Sequence, residues 1–145
     1  MKKKKLKMTK KNLFLILVLV ASIGILITVI AYYNIKIEKI QDYDLHVHVD
    51  NYLGVNVDSD KIWFGTVPPG NGAKRTLLMF GSNERDVLVK YKVYGDLKDW
   101  VSVEDNFFIL RKGERRNITI RVDIPEDAEL GQNYTGTLRT IFEKI

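Results

Sequence analysis

The sequence predicts an all-β fold, a single antiparallel β-sandwich of seven or eight strands, preceded by one N-terminal transmembrane α-helix. Three observations carry that prediction. The run from Leu13 to Tyr33 holds no charged residue. From Leu45 onward the apolar residues recur with a period of two rather than 3.6. Turn residues interrupt the alternation every ~8 to 12 residues, the spacing of short sandwich strands.

Residues 1–12 form a basic flank, read as a cytoplasmic tail. Lys2, Lys3, Lys4, Lys5, Lys7, Lys10 and Lys11 precede the apolar run, and no acidic residue occurs before Tyr33. Residues 13–33 are roughly 32 Å long as a helix, which matches a hydrocarbon core of about 30 Å. Ser22, Gly24 and Thr28 are its only interruptions up to Ala31. Tyr32 and Tyr33 stand where an interfacial aromatic belt would lie. Lysines on one flank place the N-terminus in the cytoplasm and the rest of the chain outside the cell membrane. A cleaved signal peptide is the alternative. Its apolar region would be shorter, and Ser22-Ile23-Gly24 is a poor small-x-small site. Residues 34–44 read as a short charged stalk, and residues 45–145 as the extracytoplasmic domain.

Within that domain "LHVHV" alternates, with Leu45, Val47 and Val49 on one face. "YLGVNVD" continues the pattern through Val55 and Val57. "KIWFGTV" ends in the turn Pro68-Pro69-Gly70-Asn71-Gly72. "AKRTLLMFGS" follows, then "RDVLVKYKVYG", with Val87, Val89, Tyr91 and Val93 facing one way. "DWVSVE" and "NFFILR" are short strands. In "RRNITIRVDIP", Ile118, Ile120, Val122 and Ile124 point inward. Pro125 ends that strand. "EDAELG" crosses between sheets, with Leu130 as a plug and Gly131 free to take φ > 0. "YTGTLRTIFEKI" is the final strand. Tyr134 either forms a tyrosine corner, its hydroxyl bonding back to the crossover, or is a half-buried strand aromatic. Gly136 leaves room for a neighbouring side chain.

Charge and composition exclude several function classes. The net charge of +5 comes from the N-terminal lysines; beyond Tyr33 acidic residues outnumber basic ones by two. A basic flank on a mildly acidic body is not the footprint of a nucleic-acid binder. The chain has no cysteine, which removes disulfides, thiolate chemistry and cysteine zinc sites. Its serines lie outside any G-x-S-x-G setting, and both histidines share one strand. "PPGNG" has neither the lysine nor the following helix of a phosphate-binding loop. Glu126, Asp127 and Glu129 read as a solvated crossover rather than an acid–base pair or a calcium site. No enzyme and no cofactor are expected.

Four groups of residues are candidates for binding or modification. His46 and His48 share a strand face, roughly 7 Å apart. They could ligate one metal with Asp44 or Asp50, although no third ligand motif follows; alternatively they lie on a solvated edge strand. Asn117 and Asn133 open N-x-Thr sequons, "NIT" and "NYT". Tyr52, Leu53 and Trp63 fall among turn residues at one end of the sandwich, where exposed aromatics anchor interfaces; one of Trp63 and Phe64 belongs to the core. The final strand, "TLRTIFEKI", offers an edge for strand addition by a partner.

Two segments carry a resemblance. "WFGTVPPGNGAKRTLLMFGSN" resembles the F-G-x-V-x-x-G opening of Ig-like domains of the ASH and major-sperm-protein type. "GDLKDWVSVEDNFFILRKGERRNITIRVDIPEDAELGQNYTGTLRTIFEK" resembles the Ig-like modules of archaeal and bacterial envelope proteins, the NEW3 or alpha-galactosidase-associated type. The matching positions are Trp100-Val101, Phe107 to Leu110, Gly113-Glu114, Val122 to Pro125, Gly131, Tyr134, Gly136 and Leu138. The resemblance spans about residues 45–145 and implies an Ig-like sandwich with no shared active site. Such modules usually stand in tandem, whereas this one follows a single anchor, a layout shared with a subunit of the archaellum. The expectation is a single-pass protein that binds an envelope protein of a surface layer, filament or secretion complex. A glycan- or metal-binding surface module is the alternative.

Overall fold

The computed structural model describes residues 9–54, 61–82 and 84–145. The chain divides into two compact units, Met1–Lys36 and Ile37–Ile145. The first contains helix α1, Lys10–Lys36. None of its side chains is buried, and by length and composition it is apolar enough to cross a membrane. Ser22 and Thr28, inside the apolar run, bond back to the helix itself. The Ser22 hydroxyl donates to the Val18 carbonyl at 2.8 Å and the Thr28 hydroxyl to the Gly24 carbonyl at 2.9 Å, as a helix in lipid requires.

The second unit is an Ig-like β-sandwich of eight strands in two sheets. They are β1 (Ile37–Val49), β2 (Ile62–Val67), β3 (Gly72–Phe80), β4 (Val87–Gly95), β5 (Val101–Val103), β6 (Phe108–Leu110), β7 (Arg115–Asp123) and β8 (Gln132–Lys144). The larger sheet has the order β2-β1-β8-β4-β6, and the smaller β3-β7-β5. All pairs are antiparallel except β1 with β2, which is parallel, Leu45 facing Ile62 and Val49 facing Val67.

Three expectations are corrected. The stalk at residues 34–44 is instead the end of α1 and the first residues of β1. Ile37, Ile40 and their neighbours pair with β8 from Glu143 back through Ile141, so the apolar residues taken for a linker extend the sheet. The final strand is not an edge, because β8 is paired with β1 on one side and β4 on the other. Nor is "LHVHV" an edge: it lies between β2 and β8. Val55 and Val57 lie outside the described residues.

The core follows the predicted alternation. β1 contributes Leu45, Val47 and Val49; β4 contributes Val87, Val89 and Tyr91; β7 contributes Ile118, Ile120 and Val122; β8 contributes Leu138 and Phe142. Each buried aliphatic side chain adds about 1.5–3 kcal/mol relative to exposure. Polar links join strands whose pairing is incomplete. Arg75 of β3 donates Nε to the Trp63 carbonyl of β2 at 2.7 Å, bridging the two sheets. Beside β4, Asn106 acts as a stand-in for a backbone partner, accepting from Tyr91 N–H at 2.9 Å and donating to the Tyr91 carbonyl at 3.3 Å. Its Oδ1 also accepts from Phe107 N–H at 3.0 Å, holding Phe107 at φ 61°, a left-handed conformation that bulky residues rarely take.

Candidate interaction surface

Parity on β1 sends His46 and His48 to the outer face of the large sheet, opposite the buried Leu45, Val47 and Val49. Each imidazole then acquires a different partner. His48 Nδ1 lies 2.8 Å from Asn133 Oδ1, and its Nε2 lies 3.8 Å from an Asp50 carboxylate oxygen. The His46 ring stacks on Trp63, with centroids 5.8 Å apart and planes 28° from parallel. That stack follows from the parallel register, which puts Trp63 opposite His46. Among the described residues no group of three or more His, Asp or Glu side chains could hold a metal ion. Beside the stack a shallow depression of about 390 Å³ is lined by Asp44, His46, Lys61, Asp96, Thr135 and Thr137. Across the same face Arg139 grips Asp42 through two hydrogen bonds, at 2.8 and 2.7 Å. This contact holds the Asp42 carboxyl below the usual carboxylate range.

The other candidates sit at one end of the sandwich. Tyr52 and Leu53 lie just after β1 and are 58% and 76% exposed. The crossover from β7 to β8 reaches the same end, tied there by the Gly131 N–H donating to the Val49 carbonyl at 2.7 Å. Gly131 has φ 74°, as its place in the crossover requires. Leu130 is not the expected plug: it is 48% exposed, while Ile124 enters the core and Ala128 packs against it. The Pro-Pro-Gly-Asn turn joins this end through the Gly70 N–H, which donates to the Ile124 carbonyl at 3.0 Å. The structure therefore groups Tyr52 and Leu53 with Leu130 and sets Trp63 apart on the sheet face. Phe64, not Trp63, is the core member of that pair.

Tyr134 does not form a tyrosine corner. Its ring packs on Trp100, with centroids 4.6 Å apart. Among the described residues no hydrogen bond holds its hydroxyl. Leu130, expected as a plug, and Phe107, expected in an apolar strand, are both exposed. The local signal for Phe107 was the preceding asparagine, a residue that hydrogen-bonds neighbouring backbone.

Inside the sandwich, Tyr91 and Thr140 face each other across β4 and β8. Both hydroxyls are buried and have no hydrogen-bond partner among the described residues. Burial, reinforced by nearby Tyr43, pushes the Tyr91 hydroxyl well above the usual tyrosine range. Burial raises Tyr43 as well. A raised tyrosine pKa means that only the unfolded chain ionises first. Its stabilising contribution is therefore complete below about pH 10 and declines as pH rises from there towards the folded-state value. Tyr91→Phe is expected to flatten that alkaline decline. It should also add about 1 kcal/mol at neutral pH by removing an unpaired buried hydroxyl. Urea unfolding at pH 8 and pH 11 tests this; an unchanged pH dependence would refute it.

No protein-family model matches this chain, and no curated protein matches it. Among solved structures, the DraE adhesin in complex with chloramphenicol succinate is similar at a TM-score of 0.40 and 17% identity, over 74% of this chain and 97% of that one. The AfaE-3 adhesin from Escherichia coli is similar at a TM-score of 0.40 and 18% identity, again over 74% of this chain and 97% of that one. Both likenesses are weak, and both are to adhesins rather than to the envelope modules or the ASH and major-sperm-protein domains that the sequence resembles.

Proposed function

We propose that this chain is a single-pass membrane protein, with its N-terminus in the cytoplasm and its Ig-like sandwich outside, that binds another envelope protein without catalysing a reaction. The partner would belong to a surface layer, filament or secretion complex, in keeping with the NEW3-like resemblance. The observation that carries this reading is the exposed apolar loop end. Leu53, Tyr52 and Leu130 stand in solvent at one end of the sandwich, on turns pinned to it by backbone hydrogen bonds. Exposed apolar and aromatic side chains on a rigid frame are the anchors of protein interfaces. The apolar helix and its one-sided lysines support the membrane topology.

The test is crosslinking of the tagged full-length protein in its own cells, followed by solubilisation and mass spectrometry. A reproducible envelope partner is expected. Tyr52→Ser with Leu53→Ser should lower its recovery about tenfold or more, with the melting temperature of the sandwich unchanged. Recovery of the protein alone, or undiminished recovery with the double variant, would refute the reading.

A second reading is a glycan-binding module, favoured by one observation. The His46–Trp63 stack borders a depression that carries Asp44, Asp96, Lys61, Thr135 and Thr137, and such groups match the hydroxyls and C–H faces of a sugar. A glycan panel that leaves the melting temperature unmoved would exclude it.

A further inference from the structure

We infer that Asn117 is an N-glycosylation site and that its glycan covers the outer face of the small sheet. The inference rests on the extracytoplasmic placement proposed above. Asn117 lies on β7, the central strand of that sheet, and is exposed, while the intervening Ile118 is buried. Thr119, two residues on, shares the outward face, so both required side chains of the sequon point the same way. Among the described residues no hydrogen bond holds the Asn117 carboxamide.

The surroundings supply a second reason. Leu78 of β3 is directly opposite Asn117 in the ladder, and Phe80 lies two residues further along the same strand. They are 46% and 59% exposed, an apolar pair on an otherwise polar face. The Arg115 guanidinium lies over the Phe80 ring, 5.4 Å from its centroid, and the C–H face of the first sugar ring can lie over Leu78. Asn133 and Thr135 are exposed as well, but Asn133 differs in its surroundings. Its carboxamide oxygen is engaged by His48 at 2.8 Å. It also sits near the start of β8, close to Leu130 and the loop end that binds the partner, where a glycan would crowd the interface.

The reaction is a glycosyl transfer from a lipid-phosphate-linked oligosaccharide, catalysed by a membrane oligosaccharyltransferase. Asn117 Nδ2 forms a bond to the anomeric carbon and gives its proton to a base of the transferase. The anomeric C–O bond to phosphate breaks, and the lipid phosphate leaves with the electron pair. No redox change occurs.

The experiment uses full-length protein purified from its own cells, with protease accessibility of the domain measured on intact cells in parallel. Trypsin releases Asn117–Arg121 and Val122–Arg139 as separate peptides, one sequon in each. The expected result is a sugar-sized mass increment on Asn117–Arg121, absent in Asn117→Gln and Thr119→Ala, and kept in Thr119→Ser. Unmodified Asn117 in a domain cleaved from outside would overturn this inference and leave the placement intact, as would a glycan on Asn133 alone. A domain protected from external protease would overturn the placement itself, and the inference with it.

Discussion

Gly136→Val is expected to destabilise the sandwich more than any other single change considered for it. Gly136 faces Gly95 across the β4–β8 ladder. A Cβ at position 136 would lie 2.7 Å from the Tyr94 carbonyl oxygen and 3.1 Å from the Leu97 Cβ. The backbone oxygen belongs to a paired strand and has nowhere to retreat. Leu97 is fully buried, and it fills the gap that the missing side chain leaves. Overpacking of this kind against backbone should cost at least about 3 kcal/mol, or a fall in melting temperature of roughly 12 °C or more for a domain of this size. Gly136→Ala should be milder, and Leu97→Ala should not relieve it, because the Tyr94 carbonyl oxygen and the Cβ at position 97 both stay in place. Thermal unfolding followed by circular dichroism measures all three. A Gly136→Val protein that melts within about 2 °C of the parent would show that the strands can separate to admit a side chain.

The second large effect is expected at Leu138. It sits on β8 at the centre of the large sheet, opposite Tyr43 on one side and Val93 on the other, and is fully buried. Leu138→Ala should cost about 3 kcal/mol, within the 2–5 kcal/mol usual for such a cavity. Ile141 lies three residues along the same strand and points to the opposite face. Ile141→Ala should cost under about 1 kcal/mol. Urea titration of the two variants compares the faces directly; equal losses would mean that the outer face of the large sheet is buried by something else.

These two residues show how far the sequence could be read. The room beside Gly136 was legible, and alternation alone put Val87, Val89 and Tyr91 on one face, because side chains on a strand change face at every step. Ile118, Ile120 and Val122 were legible in the same way. Strand order was not, since a period of two says which face is buried but nothing about which strand lies alongside. For that reason β8 looked like an edge, and the parallel pairing of β1 with β2 went unseen. Leu97 was missed because its pocket exists only once Gly95 and Gly136 meet across the ladder. The stalk at residues 34–44 was misread because its isoleucines are interleaved with charged residues, a pattern shared by an exposed connector and a half-solvated strand. At the candidate surface, Tyr52 and Leu53 were legible from turn chemistry around two large apolar residues. The separation of Trp63 from them was not, because it depends on the register with His46.

The central position of β8 also sets a timetable for biosynthesis. Asp42 and Arg139, whose ion pair joins β1 to β8, are 97 positions apart in the chain. While residues 132–144 are still on the ribosome, β1 has only its short pairing with β2, and β4 only its three-residue pairing with β6. The large sheet has no middle, and its apolar faces have no lid. Such a nascent chain completes its fold only once residues 132–144 are free to enter between β1 and β4. Closure over so long a separation is slow. In that interval the unpaired strands are open to chaperones, to proteases and to one another.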